Sequence, residues 1–127
     1  MSGVLTGFGS WFGYDGGGIM AAVATTLGRL RVLERLYAQG YTDDVVDLTV
    51  RKLVEHQVQK DEAQLAALAE DLARFERRYA MTSAVFFARY QAGQMGDDAD
   101  VFEWNALYKM HTRLAEAVKS LRSQLRE

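Results

Sequence analysis

The stretch WNALYKMHTRLAEAVKSLRSQL, Trp104–Leu125, decides the fold. Trp104, Leu107, His111, Leu114, Val118, Leu121 and Leu125 recur at steps of 3-4-3-4-3-4. That spacing keeps one stripe on one face of a helix and matches a heptad seam. A strand would alternate at every second residue, and no such pattern occurs here. The helix is expected to start near Asp98–Asp100 and to end near Leu125.

A single seam needs a second helix to cover it, and the chain supplies one upstream. Val46, Val50, Leu53, Gln57, Asp61, Leu65, Leu68, Leu72, Phe75 and Tyr79 step 4-3-4-4-4-3-4-3-4. They predict a helix over about Asp43–Tyr79, roughly 55 Å long at 1.5 Å per residue. The stripe turns polar at Gln57 and Asp61. Either the apolar face shifts or bends there, or a polar layer fixes register or binds something.

Between these two helices the chain turns at Ala80-Met81. Thr82 or Ser83 can cap a short helix over about Ser83–Ala92, carrying Val85, Phe86, Phe87 and Tyr90. Gly93 ends it, and Gln94-Met95-Gly96 forms a loop. The second half of the long helix and the last helix then form the arms of an antiparallel hairpin, closed at one end by the short helix.

Upstream, Leu27, Leu30, Leu33 (or Val32), Leu36 and Tyr37 predict a first helix over about Ile19–Gln39, packed alongside the hairpin. Gly40 stops it. Thr42 or Asp43 can cap the next helix, and Asp44 and Asp47 complement its positive dipole end.

Seven of the eleven glycines fall in the first eighteen residues, interleaved with Phe8, Trp11, Phe12 and Tyr14. Glycine raises the entropy cost of ordering, so this segment is read as a flexible tail. Its aromatics also suit a docking segment that orders on a partner or on its own oligomer. The expected organisation is a tail over 1–18 and one helical domain over 19–127. The class is all-α: an antiparallel helical hairpin or coiled coil with a short capping helix, preceded by another helix.

Composition narrows the function. The chain of 127 residues has no Cys, which excludes disulfides, thiolate metal sites and cysteine nucleophiles. It has no Pro, which suits long helices. A net charge of −2 argues against a nonspecific nucleic-acid binder. The first basic residue is Arg29, and the run Ile19–Ala24 is too short for a membrane span, so a cytoplasmic protein is expected.

No catalytic set or cofactor motif is present, and none is expected. His111 lies on an apolar seam and reads as core, whereas His56 lies off it and reads as solvated. Arg74, Arg77 and Arg78 read as a solvated face, with Glu70 and Arg74 a helical pair.

The most distinctive stretch is Gly96-Asp97-Asp98-Ala99-Asp100-Val101-Phe102-Glu103-Trp104. Four carboxylates fall within seven residues. Asp98 or Asp100 can cap the last helix, and the other acids favour its N-terminus. The acids also suit a partner-binding surface, since acids steer a partner while aromatics anchor it. Asp97, Asp98, Asp100, Glu103, Trp104, Tyr108, Phe87 and Tyr90 are the candidate partner-binding residues. Trp104 also lies on the seam, and the short helix can use Phe87 and Tyr90 to cover the hairpin end. Both readings stay open here.

From Leu36 to Leu125 the chain resembles small helical bacterial proteins, frequent in cyanobacteria, often encoded beside TumE-type RNase-like toxins. The residues that carry the likeness are Phe75-Glu76-Arg77-Arg78-Tyr79-Ala80-Met81-Thr82-Ser83, Phe86 or Phe87, Gly93, Gly96-Asp97-Asp98-Ala99-Asp100, Glu103-Trp104 and Leu107-Tyr108. The resemblance implies a non-enzymatic, antitoxin-like protein that binds and neutralises a small basic toxin. A self-assembling helical protein, joined through its seams and the tail residues Phe8, Trp11, Phe12 and Tyr14, is the alternative. Either way the protein is expected to be an oligomer or to have a protein partner.

Overall fold

The computed structural model describes residues 17–126. Within them lie α1 (Gly17–Ala38), α2 (Asp44–Tyr79), α3 (Ser83–Gln91) and α4 (Ala99–Ser123). No strand occurs among the described residues. Each helix falls within a residue or two of its expected bounds. The tail aromatics Phe8, Trp11, Phe12 and Tyr14 lie outside the described residues. The chain divides into two compact units between Leu48 and Thr49, inside α2.

In the first unit α1 ends in a left-handed turn at Gly40, whose φ is 99°. The Gly40 N–H bonds the Tyr37 carbonyl at 3.0 Å and the Tyr41 N–H reaches back to Leu36 at 3.0 Å. This pair of bonds satisfies carbonyls that a helix end leaves open. Asp43, not Thr42, then caps α2: its carboxylate accepts the N–H groups of Val45 (2.9 Å) and Val46 (3.1 Å). The Tyr37 hydroxyl donates to Asp47 at 2.6 Å and accepts the Asp43 N–H at 3.2 Å, tying the corner together. The Asp47 hydrogen bond, with partial burial, raises the Tyr37 pKa above its ordinary 10.0.

The second unit holds the hairpin. Tyr79 bonds Asp100, and Glu62 pairs with Arg122, so the end of α2 meets the start of α4 and the helices run antiparallel. The buried face of α2 is Val58, Asp61, Gln64, Leu68 and Leu72. Val101, Trp104, Leu114 and Val118 answer from α4. Leu107, His111 and Leu121 of the expected seam are half-buried, and His56 is exposed.

The expected stripe of α2 is covered only from its middle onward. Val50 and Leu53 are exposed and burial begins at Val58. The physical reason is length: α2 has 36 residues and α4 has 25, and Arg122 already pairs with Glu62. The turns of α2 that carry Val50 and Leu53 therefore extend past the end of α4. At Gln57 and Asp61 the expected stripe turns polar, and the buried face shifts to include Val58 and Gln64. Asp61 is 4% exposed and accepts a hydrogen bond from the Gln57 amide at 2.8 Å.

The hairpin is closed by aromatic stacking. The Trp104 ring lies 3.9 Å from Phe86 at 7°, with Phe75 at 5.6 Å and Tyr79 at 5.5 Å. Leu72, Phe86, Val101 and Trp104 make one buried cluster, with Met81, Phe87, Tyr90, Met95 and Tyr108 packed around it. Thr82 caps α3, accepting the Val85 N–H at 3.2 Å. The neighbouring Ser83 is buried and serves Trp104 instead.

Candidate functional site

The structure separates the expected partner-binding residues into three groups. Trp104 is 1% exposed, so it is core and offers no surface to a partner. Its indole N–H donates to Ser83 Oγ at 2.9 Å, which satisfies the one polar atom a buried tryptophan carries. Tyr90 is half-buried against Phe86, with ring centroids 5.8 Å apart. Asp100 is committed within the fold. It accepts the Tyr79 hydroxyl at 2.8 Å and pairs with Arg78 at 3.0 Å. That hydrogen bond, with burial, raises the Tyr79 pKa above 10.0.

The second group shares a surface. Phe87 and Tyr108 lie 5.0 Å apart, and together with Lys109, Thr112, Arg113 and Glu116 they line an open hollow of about 520 Å³. The third group stays in solvent. Asp97, Asp98 and Glu103 are exposed at the start of α4, beside Phe102, which is 54% exposed. Asp98 sits at the N-cap position, yet its side chain makes no capping hydrogen bond. The acidic knot thus has one structural member, Asp100, and three solvated ones. Among the described residues no group of three or more His, Asp or Glu converges as a metal site. Arg74 pairs with Asp71 rather than with the expected Glu70.

A further set of exposed apolar side chains lies in the first unit. On α1, Met20, Val23, Leu27, Leu30 and Val32 are all exposed, Leu30 by 50%. On the opening of α2, Val45 and Leu48 are exposed by 72% and 56%. Met20, Val23, Leu27 and Leu30 step 3-4-3, a short heptad seam that is exposed among the described residues. The spacing of Leu27 and Leu30 predicts a helix with a face that wants cover, but not what covers it. One signal did mark this segment: no charged residue occurs from Gly17 to Gly28. A helix apolar on most of its faces is normally enclosed.

No protein family, curated protein or solved structure matches the chain. Among the described residues no helix is long and apolar enough to cross a membrane.

Proposed function

We propose that this protein is an interaction module without catalytic chemistry, which binds another protein chain through the apolar face of α1. The observation that carries this reading is the uncovered seam of Met20, Val23, Leu27 and Leu30. Covering the exposed half of each leucine contributes about 1 kcal/mol. An α-helix without tertiary cover is marginal in water, so a partner supplies what the first unit lacks. The hairpin, by contrast, has its own buried core and serves as the rigid support. Leu27→Glu with Leu30→Glu is the test. Tagged wild-type protein is expected to retain a co-expressed, differently tagged copy or a host protein that the variant loses, with unchanged circular dichroism of the hairpin. Retention of the same proteins by the variant contradicts the reading.

A second reading rests on a different observation: Phe102 exposed beside Asp97, Asp98 and Glu103. This is the surface expected of an antitoxin-like protein. A nuclease toxin binds phosphates and so carries a basic cleft, which exposed acids around an aromatic would complement. Asp97→Lys with Asp98→Lys is expected to abolish capture of a small basic protein from the native host. Unchanged capture removes this reading and leaves the first intact.

A further inference from the structure

The exposed seam of α1 is followed along the chain by a sorted set of charges. Arg29, Arg31 and Arg35 all lie in the second half of α1, with Glu34 the one acid there. Asp43, Asp44 and Asp47 all lie at the opening of α2. Among the described residues the three arginines form no ion pair. Asp44 is exposed as well. The first unit therefore carries an apolar seam followed by adjacent basic and acidic patches. Such a surface is complementary to itself.

We propose that a second copy of this chain covers α1, in a two-fold pair whose α1 helices run side by side in the same direction. The proposal rests on the reading of α1 as a binding surface and names its occupant. In that arrangement Met20, Val23, Leu27 and Leu30 of each copy meet the same residues of the other, as in a parallel heptad pair. The same direction gathers the basic second half of α1 and the acidic opening of α2 of both copies at one end of the pair, with Arg31 next to the seam. An antiparallel pair would set the arginines against the charge-free first half of the partner's α1. The charge-free run Gly17–Gly28 favours a like surface over a strongly charged partner, since it offers such a partner nothing to pair with. The seam from Met20 to Leu30 spans eleven residues, about one and a half heptads and roughly 16 Å of contact.

The chain has no cysteine, so a single introduced one reports on this geometry. Val23→Cys, Leu27→Cys and Leu30→Cys, each made in the full chain, are expected to form disulfide-linked dimers under mild oxidation, because a parallel seam sets each residue against itself. Ser120→Cys on α4 is the control and is expected not to link. Sedimentation equilibrium of the wild type is expected to give twice 14.3 kDa, and a monomer for Leu27→Glu with Leu30→Glu. Linkage at only one seam position means an antiparallel pair and overturns the proposal. A dimer that survives the double glutamate variant overturns it too. A wild-type monomer overturns it in either of two ways that trypsin separates. Rapid cleavage at Arg29, Arg31 and Arg35 leaves α1 as an uncovered surface for a different chain. Resistance there means that the chain covers α1 itself, and the binding reading falls as well.

Discussion

Trp104 donates its indole N–H to the Oγ of Ser83, 2.9 Å away and 21 residues earlier, and both side chains are buried. The bond fastens the start of α3 to the first turns of α4 while three aromatic rings pack on the indole. Ser83→Ala leaves a buried donor without an acceptor, which costs about 1–3 kcal/mol. Trp104→Ala removes the centre of the cluster and costs about 3–5 kcal/mol. Urea unfolding followed by circular dichroism checks both, and equal effects of the two variants would contradict this ranking.

Ala80 sits at φ 53°, the only non-glycine residue with positive φ among the described residues. It ends α2 as Gly40 ends α1 and Gly93 ends α3, with the Met81 N–H bonded to the Glu76 carbonyl at 3.3 Å. A side chain in that conformation costs about 1–2 kcal/mol, and glycine regains part of it against a larger unfolded-state entropy. Ala80→Gly is expected to raise stability by about 1 kcal/mol. A lower urea midpoint for this variant would show that the turn gains more from alanine than the left-handed region costs.

Asn105 Oδ1 is buried without a hydrogen-bond partner among the described residues. An unmet acceptor of this kind costs about 1–3 kcal/mol. Asn105→Leu is expected to stabilise the hairpin by about 1 kcal/mol in the same urea assay. Destabilisation would mean that the amide has a partner, such as an ordered water, that leucine displaces.

The Tyr79 hydroxyl, bonded to Asp100, holds its proton above the ordinary pKa of 10.0, and Tyr37 bonded to Asp47 does the same. Because the folded pKa is raised, the unfolded chain loses these protons first as pH rises. The stability they contribute is complete below pH 10 and is lost as pH climbs from 10 through the folded values. An ultraviolet titration of tyrosinate is expected to show Tyr79 and Tyr37 ionising late, with Tyr79 ionising at lower pH in Asp100→Ala. Unchanged titration of that variant would remove the Asp100 contact as the cause.

The hairpin was legible from the sequence because its information is local and periodic. The steps of Trp104 to Leu125 gave the face, Gly40 and Gly93 gave the stops, and the pairs Thr42-Asp43 and Thr82-Ser83 gave two of the starts without choosing between their members. The pairing of Trp104 with Ser83 was not legible, since Thr82 and Ser83 are chemically alike and only packing assigns one to the cap and the other to the indole. Val58 and Gln64 were missed as buried residues because the face of α2 rotates around the Gln57–Asp61 layer. The candidate site was legible least of all. Periodicity treats Leu30 and Leu114 alike, although one is half exposed and the other fully buried.

The central claim is that another chain covers α1, and hydrogen exchange of the full-length protein across a wide dilution series tests it most directly. Amides of α1 are expected to be protected at high concentration and to lose protection on dilution, while those of Val58–Leu72 and Val101–Val118 keep theirs throughout. Protection of α1 that is equally strong at every dilution would contradict the claim.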